Sequence, residues 1–100
     1  MIVYCLISVE PENVELSTNA MANQACLGSF LSFTCSVGSA NPQVTSYQLI
    51  ENDVVVNTSS SGMLIKMLSS SGVFAYKCLA NNSVGAANST SFNITVGGKY

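Results

Sequence analysis

Residues 76–85 carry the pattern on which the rest of the interpretation depends. They read Tyr76-Lys77-Cys78-Leu79-Ala80-Asn81-Asn82-Ser83-Val84-Gly85. From Phe74 to Ala80 every second residue is apolar, and this alternation predicts a β-strand with one buried face. The Asn, Ser and Gly residues that follow are typical of a hairpin loop. Cys78 is therefore predicted to lie on the buried face of a strand that ends at a turn.

A second stretch shows the same alternation around another cysteine. Its apolar face is formed by Leu31, Phe33, Cys35 and Val37. Five more short apolar segments are separated by turn residues: 14–16, 44–50, 54–56, 63–68 and 92–96. No window of helical length shows a helical stripe. The sequence therefore predicts an all-β domain of at least seven short strands, in which two sheets pack face to face.

The cysteines predict one bridge across this core. Cys35 and Cys78 lie on the inward faces of two strands, and a bond between them closes a span of 43 residues, worth roughly 4 kcal/mol on the loop-entropy model. Cys26 is interpreted as a buried free thiol. A Cys5–Cys26 bridge is disfavoured, because an antiparallel first strand would hold the two residues far apart. Cys5 is left to pair with another chain or to have no partner.

The charge composition excludes several classes of function. Only 8% of the residues are charged, and His, Arg and Trp are absent. Three lysines cannot neutralise a row of phosphates, which excludes nucleic-acid binding. A metal site with His ligands is excluded, and we read the acidic cluster Glu10, Glu12 and Glu15 as solvated, because calcium takes about 6–8 oxygen ligands. With no nucleophile–base pair or phosphate loop, we expect no enzyme, no metal and no cofactor.

Four Asn-x-Ser/Thr acceptor sequences indicate the secretory pathway. They begin at Asn57, Asn81, Asn88 and Asn93. Asn57 and Asn81 fall in predicted loops, Asn88 falls on or before the last strand, and Asn93 faces outward because Phe92, Ile94 and Val96 face inward. An even number of cysteines and a surface rich in Ser, Thr and Asn agree with an oxidising compartment. We therefore expect glycosylation at these four residues and an extracellular or cell-surface location.

The residues quoted above resemble a known family. Tyr76, Cys78, Ala80, Asn82 and Gly85 match the F-strand signature Tyr-x-Cys-x-Ala-x-Asn-x-x-Gly of immunoglobulin-like domains of the intermediate or C2 type. Upstream, the stretch from Gly28 to Cys35 is similar to their B strand, and Met63, Ile65 and Leu68 are similar to their E strand. The resemblance implies a two-sheet Greek-key sandwich with one inter-sheet disulfide. It places the domain at residues 9–96, residues 1–8 as a linker or edge strand, and residues 97–100 as a linker.

Two departures from the family pattern shape the expected core. Leu49 stands where the family carries the Trp that packs on the disulfide, so we expect Leu49 to be buried against Cys35 and Cys78. The Asp that usually precedes the corner tyrosine is absent, although Tyr76 is still expected to donate a hydrogen bond to the backbone upstream. The predicted core residues are Leu49, Tyr76, Phe33, Ile65 and Leu68.

The resemblance implies a protein-binding module from a cell-surface adhesion or recognition receptor. Its partner would be another protein, either of a different kind or a second copy, and this segment itself would not insert into a membrane. If Leu49 and Cys78 point inward, then Ile50, Lys77 and Leu79 point outward as a candidate binding face, extended by Val54 or Val56. The alternative is a spacer domain with no ligand of its own, similar to the array domains of intracellular muscle filaments.

Overall fold

The described residues, 8–98 of a computed structural model, form eleven β-strands. They are β1 Val9–Glu12, β2 Glu15–Thr18, β3 Gln24–Cys26, β4 Phe30–Ser36, β5 Ser39–Asn41, β6 Ser46–Glu51, β7 Val54–Ser59, β8 Met63–Met67, β9 Gly72–Asn81, β10 Ala86–Asn88 and β11 Phe92–Gly97. This exceeds the predicted minimum of seven, because β1, β3, β5 and β10 are only three or four residues long and show no clear alternation. Across the described range we find no helix that is long and apolar enough to cross a membrane.

The strands form a two-layer sandwich. One layer is a three-stranded sheet in the order β2-β4-β8, and the other is a six-stranded sheet in the order β3-β11-β9-β6-β7, with β10 paired to β9. Between β4 and β9 the chain passes from the first sheet to the second and back again, as in a Greek key. A small pairing of β1 with β5 extends one end. The predicted all-β sandwich is confirmed.

The core lies between the two layers and is closed by the predicted disulfide. In β4 the buried residues alternate with exposed ones, and Cys35 faces Cys78 of β9 with 6.1 Å between their Cα atoms and a closed S–S bond. The buried apolar residues are Leu31, Phe33, Cys35, Leu49, Leu64, Leu68, Tyr76, Cys78, Ala80, Ile94 and Val96. The bridge thus joins the central strands of both sheets.

Leu49 occupies the position beside the bridge where the family pattern has Trp. It is fully buried in β6 and lies directly opposite Cys78 of β9. The rings of Phe33 and Tyr76 pack together nearby with centroids 4.8 Å apart. A branched aliphatic residue and an aromatic pair therefore fill the centre of the sandwich, and an indole is not needed to close it.

The predicted face of β8 is wrong by one residue. Ile65, which we expected in the core, is 56% exposed, whereas Leu64 is 1% exposed. Pairing with β4 places Leu64 opposite the buried Phe33 and turns Ile65 outward. In this register Lys66 shares the inward side, but it is half-buried and lies beside a small cleft lined also by Glu51 and Leu68. The sequence had assigned Met63, Ile65 and Leu68 to the apolar face because they resemble the family's E strand, and the nearly continuous apolar run of β8 left either register possible.

The expected positions of Asn57 and Cys26 need correction, and the expected terminal segments lie partly outside the described residues. β7 continues to Ser59, so Asn57 lies in a strand and not in a loop. Cys26 ends β3 as an exposed free thiol and is not buried. The expected linker or edge strand at residues 1–8, which includes Cys5, falls outside the described part except for its last residue. In the expected linker at 97–100, Gly97 instead ends β11, and residues 99 and 100 fall outside the described part.

Candidate interaction surface

The candidate face lies on the outer side of the six-stranded sheet. Antiparallel pairing of β6 with β9 sets Ile50 opposite Lys77 and Gln48 opposite Leu79. All four side chains are half-buried. Because side chains alternate along a strand, the inward position of Leu49 and Cys78 fixes this outward set. Ile50, Lys77 and Leu79, which the sequence grouped together, therefore lie together on one surface.

A tight turn between β6 and β7 borders this face. Asn52 and Asp53 both have positive φ, 49° and 67°, a conformation that Asn and Asp tolerate better than most residues. The turn is fastened to β9, because the Asn52 amide donates to the Ala75 carbonyl at 2.8 Å and the Asn52 side-chain oxygen accepts from the Ala75 amide at 2.9 Å. The turn is thus held rigidly at the edge of the face.

The turn and β9 enclose a shallow groove of about 340 Å³. It is lined by Ile50, Asn52, Asp53, Ala75, Lys77 and Ser91. The Lys77 ammonium lies 3.8 Å from the Asp53 carboxylate, but that carboxylate is almost fully exposed, so the pair adds little to stability. The groove combines an apolar wall with one cation, one anion and amide groups. Such a mixture is typical of the rim of a protein contact.

The extension of this face along β7 differs from the expectation. The register of β6 and β7 shifts by one residue after Leu49, so Val55 pairs with Ile50. Val55 is exposed, whereas Val56 packs against the core. Val54 is also exposed, but it pairs with Glu51 and therefore lies on the other side of the sheet from Ile50, so Val55 extends the face and neither Val54 nor Val56 does. The sequence could not show the irregularity, because three consecutive valines satisfy either register.

The four acceptor asparagines all lie on strands of the six-stranded sheet. Asn88 in β10 and Asn93 in β11 are exposed, and Asn93 lies opposite Ala75, beside the groove. Asn81 ends β9 instead of lying in the expected loop, and its amide nitrogen is 3.4 Å from the Ser46 hydroxyl. The Asn57 amide nitrogen donates to the Ile65 carbonyl at 2.7 Å. The side chains of Asn57 and Asn81 are therefore already engaged.

Asn82 is a structural residue whose role the sequence did not reveal. Its side-chain nitrogen donates to the carbonyls of Val9 at 2.8 Å and Pro42 at 2.9 Å. Its side-chain oxygen accepts from the amides of Val84 and Gly85. One buried amide thereby ties the β9–β10 turn to two other segments at the same end of the sandwich. The only signal was its match to the F-strand signature, which does not specify these contacts.

Ser89 is a second residue that the sequence did not single out. It is buried between β10 and β11, where its hydroxyl accepts from the Cys78 amide at 3.0 Å and donates to the Thr90 carbonyl at 2.9 Å. The Ser89 amide also donates to the Cys78 carbonyl at 2.8 Å. These bonds pair the N–H and C=O groups of Cys78 in the gap between β10 and β11. Within the sequence Ser89 is visible only as the middle residue of an acceptor motif.

The Tyr76 hydroxyl does not bond to the backbone as expected. It donates to the Glu51 carboxylate at 2.5 Å. The two residues are direct neighbours across β6 and β9, which brings the carboxylate within reach of the phenol. Burial raises the pKa of Tyr76 far above its ordinary value of 10, and the hydrogen bond and negative charge of Glu51 raise this pKa further. A charge-assisted hydrogen bond to Glu51 within the same sheet thus replaces the expected hydrogen bond from the Tyr76 hydroxyl to the upstream backbone.

The acidic residues near the start of the chain do not converge. Glu10 and Glu12 lie on β1 and Glu15 lies on β2. Glu12 accepts a hydrogen bond from the Ser39 hydroxyl at 3.1 Å. Among residues 8–98 there is no group of three or more acidic, Cys or His side chains that could hold a metal ion.

Comparison with known proteins identifies a matching family and several similar structures. Residues 5–96 match the family model for the immunoglobulin domain. No curated protein sequence is similar enough to count as a match. Among solved structures, the PKD domain of the human VPS10 domain-containing receptor SorCS2 is similar, with a TM-score of 0.70 and 17% identity over 100% of this chain and 84% of that chain.

Two immunoglobulin structures are also similar. The tandem Ig repeats of Dlar give a TM-score of 0.60 and 22% identity, over 84% of this chain and 49% of that one. The N-terminal Ig1-2 module of the Drosophila receptor protein tyrosine phosphatase DLAR gives 0.58 and 22%, over 82% of this chain and 45% of that one. This chain therefore aligns with about half of each, and at these identities the likeness shows the fold alone.

The family match and the structure agree along the chain. The matched region covers β1 through most of β11, and it contains both cysteines of the bridge. Domains with this sandwich commonly mediate protein–protein contacts, and they are typically binding or structural modules and not enzymes. Because sequence and architecture agree over nearly the whole length, this chain belongs to the immunoglobulin domain family.

Proposed function

We propose that this chain is an extracellular protein-binding module of a cell-surface adhesion or recognition receptor, and that Ile50, Lys77 and Leu79 form its contact face. The observation that carries the proposal is the groove beside this face, where an apolar wall adjoins the Lys77–Asp53 pair. Protein contacts typically combine an apolar centre with a polar rim. In this proposal the binding domain begins at residue 9 and extends to the end of β11 at Gly97.

The rigidity of the face supports its use in binding. Ile50 and Leu79 lie on the two central strands of the sheet, and the adjoining turn is fastened to Ala75 by two hydrogen bonds. A preformed surface loses little conformational entropy when a partner docks. The face therefore needs no rearrangement to present its apolar centre.

The surface chemistry supports an extracellular location. A disulfide persists in an oxidising compartment, and the Cys35–Cys78 bridge is fully enclosed by the core. Asn88 and Asn93 present exposed acceptor side chains, so we propose them as the principal glycan carriers. We expect lower occupancy at Asn57 and Asn81, whose amide nitrogens already donate hydrogen bonds.

The experiment that tests this function measures adhesion of beads coated with the glycosylated domain to cells of the source organism. The test variant combines Ile50→Glu with Leu79→Glu, which places two carboxylates in the apolar centre. Val73→Glu is the matched control, since Val73 is an exposed residue of the same strand at its other end. We expect the double variant to reduce binding at least tenfold and the control to bind as the unsubstituted domain does.

Two results would speak against the proposal. If the double variant keeps its fold by circular dichroism and binds cells with unchanged affinity, the contact face lies elsewhere. If the unsubstituted beads bind no cells at all, the spacer alternative is favoured. A third result would refine the proposal. If the double variant loses binding only when Asn93 carries its glycan, then the sugar, which stands beside the groove, takes part in the contact.

A further inference from the structure

The outer side of the three-stranded sheet carries a second apolar surface, separate from the candidate face. Three residues of β8 and one of β4 are strongly exposed: Met63 by 69%, Ile65 by 56%, Met67 by 50% and Phe30 by 65%. Phe30 lies directly opposite Met67 on the neighbouring strand. We call these four residues the apolar stripe. An exposed, contiguous apolar patch on one sheet face is a common mark of an interaction site.

The surroundings of the stripe are almost neutral. Its neighbours on the same side of β4 are Ser32 and Thr34, which lie opposite Ile65 and Met63. Lys66 points to the opposite side of β8. The nearest outward-facing charge within the described sheet is Glu15 on β2, two strands and therefore about 10 Å from β8. A charged partner would find no complement here, whereas an equally neutral apolar surface could bind without repulsion.

The acceptor asparagines leave this side of the sandwich uncovered. All four lie on strands of the six-stranded sheet, and none lies on β2, β4 or β8. Asn57 approaches the edge of β8, where its side chain caps the Ile65 carbonyl. That cap occupies part of the backbone edge that another strand would need, so a partner is directed to the side chains of the stripe and away from edge-to-edge pairing.

The order of residues along β8 indicates what the partner is. Met63, Ile65 and Met67 form a symmetric series, with Ile65 at its centre. A twofold axis through Ile65 would bring Met63 of one copy against Met67 of the other, and the two isoleucines against each other. A symmetric dimer needs a surface that is complementary to itself in this way. Methionine side chains adapt readily to each other's shape, which favours such a contact.

We propose that the apolar stripe binds a second copy of this chain through a face-to-face, twofold contact centred on Ile65. Three strands by five residues give a footprint of about 14 by 17 Å, well below the roughly 800 Å² per partner of a standard stable interface. The contact is therefore weak and transient, as interfaces of small area commonly are. It becomes significant when chains are concentrated, as on one surface, where binding is effectively intramolecular.

This dimer does not depend on the proposed contact face, and the experiment separates the two. Sedimentation velocity is measured from about 10 µM to 2 mM, so that even a dimer with a millimolar dissociation constant is populated at the highest concentration. The test variant is Ile65→Glu, and the control is Val73→Glu, an exposed β-branched residue of the other sheet that is 60% exposed. We expect concentration-dependent dimers, at least tenfold weaker in Ile65→Glu and unchanged in the control.

A second variant keeps the proposal testable if the first one is unstable. Ser32→Asn creates a glycan acceptor sequence with Phe33 and Thr34, and Ser32 is exposed opposite Ile65. When this variant is produced in secreting eukaryotic cells, its sugar should stand over the stripe and leave the protein monomeric. The methyl NMR signals of Met63 and Met67 in the unsubstituted protein should shift with concentration as the dimer forms.

Three results would overturn the dimer. The first is a monomer over the whole concentration range with constant methionine signals, which would leave the stripe to a different protein. The second is a dimer that Ile65→Glu and Val73→Glu weaken to the same extent. The third is a dimer that is broken by the Ile50→Glu, Leu79→Glu pair and not by Ile65→Glu, because that dimer would use the proposed contact face. If the unsubstituted domain forms the dimer but binds no cells, that result counts against the proposed function alone and leaves the dimer standing.

Discussion

Leu49 fills the space beside the disulfide, opposite Cys78, and it is fully buried. Leu49→Ala should lower the free energy of unfolding by about 2–5 kcal/mol, because the truncation leaves a cavity against the bridge. Leu79→Ala on the outer side of the neighbouring strand is the control, with an expected loss below about 1 kcal/mol. Urea unfolding measures both. A loss below about 1 kcal/mol for Leu49→Ala would assign the central position to Tyr47 instead.

The burial of Tyr76, together with its bond to Glu51, makes stability depend on pH in the alkaline range. Because the folded state raises the pKa of Tyr76 above that of the unfolded chain, the stabilisation is complete below pH 10 and is lost as the pH rises. Above pH 10 the unfolded chain releases the phenol proton while the folded protein keeps it. The free energy of unfolding should then fall by up to about 1.4 kcal/mol per pH unit from this group.

Tyr76→Phe removes the titrating group and tests this dependence. The variant should be less stable at pH 8 by about 1.5–3 kcal/mol, the scale of a hydrogen bond to a charged group. Between pH 10 and 11.5 its stability should fall less steeply than that of the unsubstituted protein. Denaturant unfolding at each pH gives both slopes. Equal slopes would mean that the phenol is no harder to ionise in the folded protein than in the unfolded chain.

At the scale of the strand, the register of β8 decides which residues support the core and which form the stripe. Leu64→Ala should cost about 2–5 kcal/mol, since Leu64 packs opposite Phe33. Ile65→Ala should cost less than about 1 kcal/mol in dilute solution, where the protein is monomeric. Thermal or urea unfolding of the two variants makes the comparison. A larger loss for Ile65→Ala would restore the register that the sequence favoured.

Strands differ in how far their sequence determines their orientation. β4 alternates apolar and polar residues from Leu31 to Ser36, and in β9 every second residue from Phe74 to Ala80 is apolar within the matched signature, so both cysteines, Phe33 and Tyr76 were assigned to the core correctly. β8 and the start of β7 are apolar at nearly every position, and either face then satisfies the pattern. There the pairing with the neighbouring strand decides, through Phe33 opposite Leu64 and through the register shift after Leu49.

The candidate face could be predicted in outline, but its detail could not. Alternation from Leu49 and Cys78 was enough to group Ile50, Lys77 and Leu79. The groove depends on the positive φ angles of Asn52 and Asp53 and on their approach to β9, which are long-range features. The role of Asn82 likewise depends on segments that lie 40 and 73 residues away in the chain. Spacing along a single strand carries no information about such contacts.

At the scale of the whole molecule, the two sheets present different surfaces. The six-stranded sheet carries the candidate face and all four acceptor asparagines, whereas the three-stranded sheet carries the neutral apolar stripe. Under the two proposals above, the domain engages a partner protein through one side and a second copy through the other. Both uses require a folded, disulfide-closed sandwich in an oxidising compartment.

The most direct test of an extracellular, disulfide-closed sandwich is mass spectrometry of a non-reduced digest of the protein secreted from eukaryotic cells. The expected result is a linked peptide pair containing Cys35 and Cys78, no second bridge within the chain, and sugar on Asn88 or Asn93. A Cys5–Cys26 peptide would contradict the assignment of a single bridge. A bond from Cys26 to Cys35 or Cys78, or four bare acceptor asparagines, would contradict the extracellular sandwich itself.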